Sequence, residues 1–163
     1  VKIVYRDGDM FQGAPEHAIL AHACNGYGVW GGGIAAQFAQ KYPDCNAMYT
    51  AICKANGRHG VGKSFIAEGE RNVACMITSM GFGGNVDGVE EILVNTDTAL
   101  DDLFDLVPPG AEIHSPKFNS GLFGVPWELS EYVLEKALET RPDITWVVWT
   151  YVPPKLSGWA FPV

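Results

Sequence analysis

Two glycine-rich stretches carry the groups best suited to chemistry in this sequence. Residues 25–33 read Asn25-Gly26-Tyr27-Gly28-Val29-Trp30-Gly31-Gly32-Gly33, and residues 119–124 read Asn119-Ser120-Gly121-Leu122-Phe123-Gly124. Each follows a short apolar run and precedes a helical pattern. Where a strand gives way to a helix, the first N–H groups have no intrahelical partner and the helix dipole is positive, so an anion is favoured there. A hydrogen bond to a charged group contributes about 1.5–3 kcal/mol, so about four or five main-chain donors can hold a diphosphate without a lysine.

The titratable groups are fewer. His22 lies just before the first loop, and histidine is the residue type suited to proton transfer near neutrality, as base or nucleophile. Flanked by Ala21 and Ala23, it reads equally well as a core residue. Strand alternation also puts His22 and Asn25 on opposite faces unless the chain bends between them. Asp87 is a second catalytic candidate, reaching in from the loop after Thr78-Ser79. With Glu90 three residues on, it also forms a capping box for the helix that follows. His114 precedes the second loop and either faces the pocket or packs. His17 and His59 give no usable signal. No cluster of carboxylates suggests a metal pair, which predicts a metal-independent site with no cofactor.

Two other motifs compete for attention. Gly57-Arg58-His59-Gly60-Val61-Gly62-Lys63-Ser64 fits the Walker A spacing, but a phosphate-binding version needs a strand before it and a helix after it. Here a helix ends near Asn56 and Phe65-Ile66-Ala67 reads as extended, so a helix stop and a loop are expected. Gly26-Tyr27-Gly28-Val29-Trp30-Gly31 fits the dinucleotide fingerprint and does lie between strand and helix. The segment after Pro43 reads as another helix, however, with Asp44 at its cap, where a dinucleotide fold needs a strand ending in an acidic residue. A phosphate-cradling loop survives that objection; a hydride-transfer site does not.

Positioning these loops requires a layered scaffold. Strands are expected over 2–5, 18–24, 64–68, 73–80, 112–116 and 146–149, the second of them apolar enough to be buried on both faces. Helices are expected from Ile34 to Pro43, from Asp44 to about Asn56, over 89–107 and from Pro126 to Thr140. In the third of these, Ile92, Leu93, Thr96, Ala99, Leu100, Leu103, Phe104 and Val107 form one stripe. Alternating strands and helices predict a single α/β domain over 1–163.

Composition sets outer bounds. The chain has 163 residues, 47% hydrophobic and 18% charged, with a net charge of −8. That size supports a core without staples, and the apolar runs are too short to span a bilayer. Such acidity disfavours duplex nucleic acid, which is bound through Lys and Arg. Cys24, Cys45, Cys53 and Cys75 form no C-x-x-C pair, and no histidine is read as a ligand partner. Free buried thiols in a reducing, cytoplasmic setting are expected, in a monomer with no membrane contact.

Taken in order, the motifs resemble a known family. Gly8-Asp9-Met10, then Ala23-Cys24-Asn25 with Gly31-Gly32-Gly33-Ile34-Ala35, then Asn119 through Gly124 are similar to the signatures of macro domains. His22-Ala23-Cys24-Asn25, Thr78-Ser79 with Phe82-Gly83-Gly84, and Ser120 through Trp127 resemble the branch that hydrolyses ADP-ribose 1″-phosphate. The resemblance implies a three-layer α/β/α fold around a mixed six-stranded sheet. It further implies that Asp9 accepts the adenine amino group beside Met10, and that Tyr151 stacks on adenine. Gly31, Gly32, Gly33 and Ile34 would wrap the distal ribose and its neighbouring phosphate. Ser120, Gly121, Leu122, Phe123 and Gly124 would cradle the diphosphate, with Phe123 over the distal ribose and Asn25 near the reacting end. Other macro domains release ADP-ribose from carboxylate esters with a lysine and an aspartate, or bind it without turnover. The positions of that lysine and aspartate hold Ser79-Met80 and Phe123 here.

Overall fold

The computed structural model describes residues 3–152. The tail over 153–163, with Trp159 and Phe161, whose sequence left padding of the adenine end and padding of an interface both open, lies outside them. Strands β1 (Ile3–Asp7), β2 (Ile19–Asn25), β3 (Ser64–Ala67), β4 (Val73–Ser79), β5 (Glu112–Pro116) and β6 (Thr145–Thr150) form one sheet in the order β1-β6-β5-β2-β4-β3. Every pairing is parallel except β3 with β4, which makes the sheet mixed.

The period of two along each strand splits the core into two layers. Ala74 and Met76 of β4 and Trp146 and Val148 of β6 face one side. There they meet Leu100, Leu103 and Phe104 of helix α4 (Val89–Leu106) and Leu134 and Leu138 of helix α5 (Trp127–Leu138). Cys75 and Ile77 of β4 and Val147 and Trp149 of β6 face the other. That side is covered by Met10 of the one-turn helix α1 (Met10–Gly13), Phe38 of α2 (Gly33–Lys41), and Cys45, Tyr49 and Cys53 of α3 (Pro43–Asn56). The result is the expected three-layer α/β/α sandwich. No helix among the described residues is long and apolar enough to cross a membrane.

Local chemistry explains where the helix starts differ from expectation. Helix α3 begins at Pro43, whose missing N–H costs nothing there, so Tyr42 is the cap and Asp44 sits inside the first turn. The Asp87–Glu90 capping box does not form. Gly88 is the cap of α4 and no side chain bonds to it. Asp87 instead accepts the Met80 N–H at 2.9 Å while its own N–H donates to Ser79 Oγ at 3.0 Å, fastening the end of β4. The Walker-like segment is a 3-10 turn over Gly57–Gly60 that leads through residues 61–63 into β3, with no helix for a phosphate.

Candidate functional site

The C-terminal ends of β2, β4 and β5 open onto a cleft of about 690 Å³. The two glycine loops form its facing walls, and Phe82 and Gly83 after β4 close one end. The loops nearly touch: a Cβ on Gly32 would stand 2.7 Å from Leu122 Cδ1.

Asn25 builds the first wall. A register shift between Cys24 and Asn25 breaks strand alternation, so Asn25 turns toward Tyr49, on the face that His22 also occupies. Its Nδ2 donates to the Val29 carbonyl at 2.7 Å. Its Oδ1 accepts from the Tyr27 and Val29 N–H groups at 3.1 and 3.3 Å and from the Tyr49 hydroxyl at 3.2 Å. Burial pushes the Tyr49 hydroxyl far above its ordinary range, so it stays protonated and also donates to the Asn25 carbonyl at 2.5 Å. Gly28 can follow this path because its φ is +80° and its Cα packs against Thr50, where a Cβ would meet backbone at 3.0 Å.

The second wall hangs from Asn119, which adopts φ +66°. Its amide is buried in a fully paired network. Thr78 Oγ1 donates to its Oδ1 at 2.8 Å, and its Nδ2 donates to Thr96 Oγ1 at 2.9 Å and Ser130 Oγ at 3.2 Å. One side chain therefore ties the loop to β4, α4 and α5. The Val125 N–H closes the loop on the Asn119 carbonyl at 2.9 Å, and the Gly124 N–H on that of Gly121 at 3.0 Å.

What these walls offer is main-chain N–H groups. Those of Gly31, Gly32 and Gly33 on one side and Gly121, Leu122 and Phe123 on the other donate to no protein acceptor among the described residues. No side chain caps α2, so its first turn also faces the cleft uncapped. Such an array of unpaired donors suits an anion.

Of the residues expected in the site, the cleft gathers His22, Asn25, residues 31–34 and residues 120–123. Gly124 shapes the turn without reaching the wall. Asp9, Met10 and Tyr151 share a corner where the parallel strands β1 and β6 end side by side, outside the cleft wall. There Asp9 Oδ1 caps α1 by accepting the Phe11 N–H at 2.9 Å. Met10 is only 4% exposed and packs into the core, whereas Tyr151 is 62% exposed. Asp87, tied to Met80, is not part of the wall.

His22 borders the cleft floor, but its side chain has no exposed surface. The ring stacks on Phe38 with centroids 4.0 Å apart and lies 4.8 Å from Trp30. Both ring nitrogens approach Cys24 Sγ, at 3.8 and 3.5 Å. With Cys75, which pairs opposite His22 in the sheet, these residues bring one ligand-type atom each within 4.8 Å of one another. The sequence reading missed this grouping because strand pairing, not chain spacing, creates it. All four cysteines are free and buried. His114 packs: its Nδ1 accepts the Trp149 indole N–H at 2.8 Å, leaving Nε2 to donate to Glu112 at 2.6 Å. Burial pulls its pKa down, which suits this neutral tautomer.

Three contributors were not singled out from the sequence. Tyr49 and Ser130 sit in helices as ordinary stripe residues. Lys117 follows β5 directly and lines the cleft, and the rule that ligands gather at strand ends would have flagged it.

Comparisons with known proteins agree with this geometry. Residues 21–134 match the family described as Macro domain. A Lodderomyces elongisporus protein named ADP-ribose 1″-phosphate phosphatase is 38% identical over 151 residues, covering 82% of this chain and 91% of its own. One of the same name from Candida albicans is 39% identical over 149 residues, covering 82% and 92%. Among solved structures, the macrodomain of Mycobacterium tuberculosis DarG has a TM-score of 0.74 at 26% identity, covering 94% of this chain and 99% of that one. Thermosipho africanus DarTG in complex with ADP-ribose shares the fold, with a TM-score of 0.66 at 17% identity over 92% of this chain and 43% of its own. With the fold, the paired glycine loops and these relatives in agreement, the chain belongs to the macro domain family.

Proposed function

We propose that this protein binds ADP-ribose and removes the phosphate from ADP-ribose 1″-phosphate. The observation that carries the reading is the pair of facing loops with six main-chain N–H groups, from Gly31, Gly32, Gly33, Gly121, Leu122 and Phe123, that have no acceptor among the described residues. Relatives at 38% and 39% identity that bear the phosphatase name support the choice of substrate. In this reading the adenine lies toward Asp9 and Tyr151, the linked phosphates lie between the walls, and the distal ribose lies over Asn25. Water adds to the 1″-phosphorus, the bond to the 1″-oxygen breaks, and ADP-ribose leaves. Charge gathering on the phosphoryl oxygens meets N–H dipoles already in place.

His22, an expected base, is read here as a packing residue beneath the floor, because its ring has no exposed surface and both of its nitrogens approach Cys24 Sγ. The test is phosphate release from ADP-ribose 1″-phosphate, set beside calorimetry with ADP-ribose. Release by the wild type supports the reading, whereas tight binding without release leaves a non-catalytic ADP-ribose reader. His22→Phe keeps the ring packing and is expected to retain turnover within about threefold, a change below 1 kcal/mol. Abolished turnover with binding intact would return the base role to His22.

Gly32→Val is expected to abolish ADP-ribose binding while leaving the fold in place. Gly32 has an extended backbone that valine adopts freely, so the effect is steric. The added side chain occupies the narrows against Leu122, where the ribose must pass. Calorimetric affinity within about threefold of wild type, or about 0.7 kcal/mol, would show that the ligand avoids this narrows.

A further inference from the structure

The cleft differs in charge from the molecule that carries it. The chain has 19 acidic and 11 basic residues, yet among the described residues no Asp or Glu lines the cleft. Among the described residues, Lys117 is the one Lys or Arg on its wall. Its backbone is fixed: the Ser120 N–H and hydroxyl both donate to the Lys117 carbonyl. The next residue, Phe118, is buried against Trp127 and Trp146, with ring centroids at 5.1 and 6.0 Å. None of the ion pairs among the described residues involves Lys117, so no carboxylate neutralises it.

Its place in the sheet decides which part of a ligand it meets. β5 lies between β6, whose end shares a corner with Asp9, and β2, whose end carries Asn25. A nucleotide stretched from that corner to Asn25 brings its linked phosphates past the end of β5. Main-chain N–H groups supply dipoles but no net charge, and a dianion entering an acidic protein is left uncompensated by them alone. A lysine ammonium is a compact full charge on a flexible stem, suited to a phosphate whose oxygens the amides already orient.

We infer that Lys117 is the charge anchor of the cleft, pairing with the linked phosphates of the bound nucleotide. This rests on the ADP-ribose reading above and adds a side-chain charge to the main-chain donors expected from the sequence. Calorimetry with ADP-ribose on wild type, Lys117→Met and Lys117→Arg tests it, with thermal melting as the check on folding. The expected result is an affinity about tenfold or more weaker for Lys117→Met, largely restored in Lys117→Arg, at unchanged melting temperature. Wild-type affinity in Lys117→Met overturns the inference and leaves the ADP-ribose reading standing. Equal losses in both variants also overturn it, because shape rather than charge would then be at work. A wild type that binds no ADP-ribose removes that reading and this inference together.

Discussion

Asn119→Ala is expected to lower stability by about 4 kcal/mol, the sum of about 3 from lost buried hydrogen bonds and about 1 from backbone strain. The amide of Asn119 satisfies Thr78, Thr96 and Ser130 in a region without solvent, and alanine leaves all three short of a partner. Alanine must also hold φ +66°, which asparagine tolerates and residues with an ordinary Cβ do not. For a domain of this size, melting would fall by roughly 10 °C. Asn119→Gly separates the contributions, since glycine removes the hydrogen bonds but relieves the strain; it should be the milder of the two by about 1 kcal/mol. The second loop hangs from this residue, so ADP-ribose affinity should fall in both variants. A melting temperature for Asn119→Ala within about 2 °C of wild type would mean that the network holds nothing.

Asn25→Ala should show the opposite balance, with a modest loss of stability and a large loss of binding. Tyr49 keeps a partner in the Asn25 carbonyl, so the core beneath the loop stays satisfied. What disappears is the set of bonds to Tyr27 and Val29 that bends the chain toward the three glycines. Without it the N–H groups of residues 31–33 no longer converge, and ADP-ribose affinity should drop by about 100-fold, or roughly 2.7 kcal/mol. Asn25→Asp makes a sharper comparison. It keeps the acceptor oxygen but loses the donor to Val29 and adds a negative charge to a wall that has none, so it should bind no better than alanine. Calorimetry on both variants decides this. Affinity for Asn25→Ala within about threefold of wild type, less than 1 kcal/mol, would leave the loop standing without its central side chain.

The scaffold was legible because its signals are local. Burial on both faces of β2, the stripe along α4 and the proline that ends α2 each act within a few residues. Both glycine loops could be placed by the same means, since each needs only a strand before it and a helix after it. What could not be read depends on residues brought together from a distance. His22 read equally as a base and as a core residue, because chain spacing does not show that Phe38 and Trp30 close over it. Asp87 looked like a cap because its tie to Met80 spans a loop whose path is set by the end of β4. Asn119 looked like the first residue of a loop, and its partners Thr96 and Ser130 were hidden among apolar positions of two helices. The shift between Cys24 and Asn25 was raised as a condition, that the chain must bend, and it is met by a one-residue slip in pairing.

The neutral-to-positive hollow in an otherwise acidic surface separates how a ligand arrives from how it stays. A nucleotide approaching through solvent meets the long-range repulsion of a body carrying −8, which dissolved ions weaken within about 10 Å at moderate ionic strength. Once inside, on the reading proposed above, it is gripped by peptide dipoles and the Lys117 charge over contact distances, where those ions have little reach. Entry is thus governed by the bathing medium and residence by the chain itself.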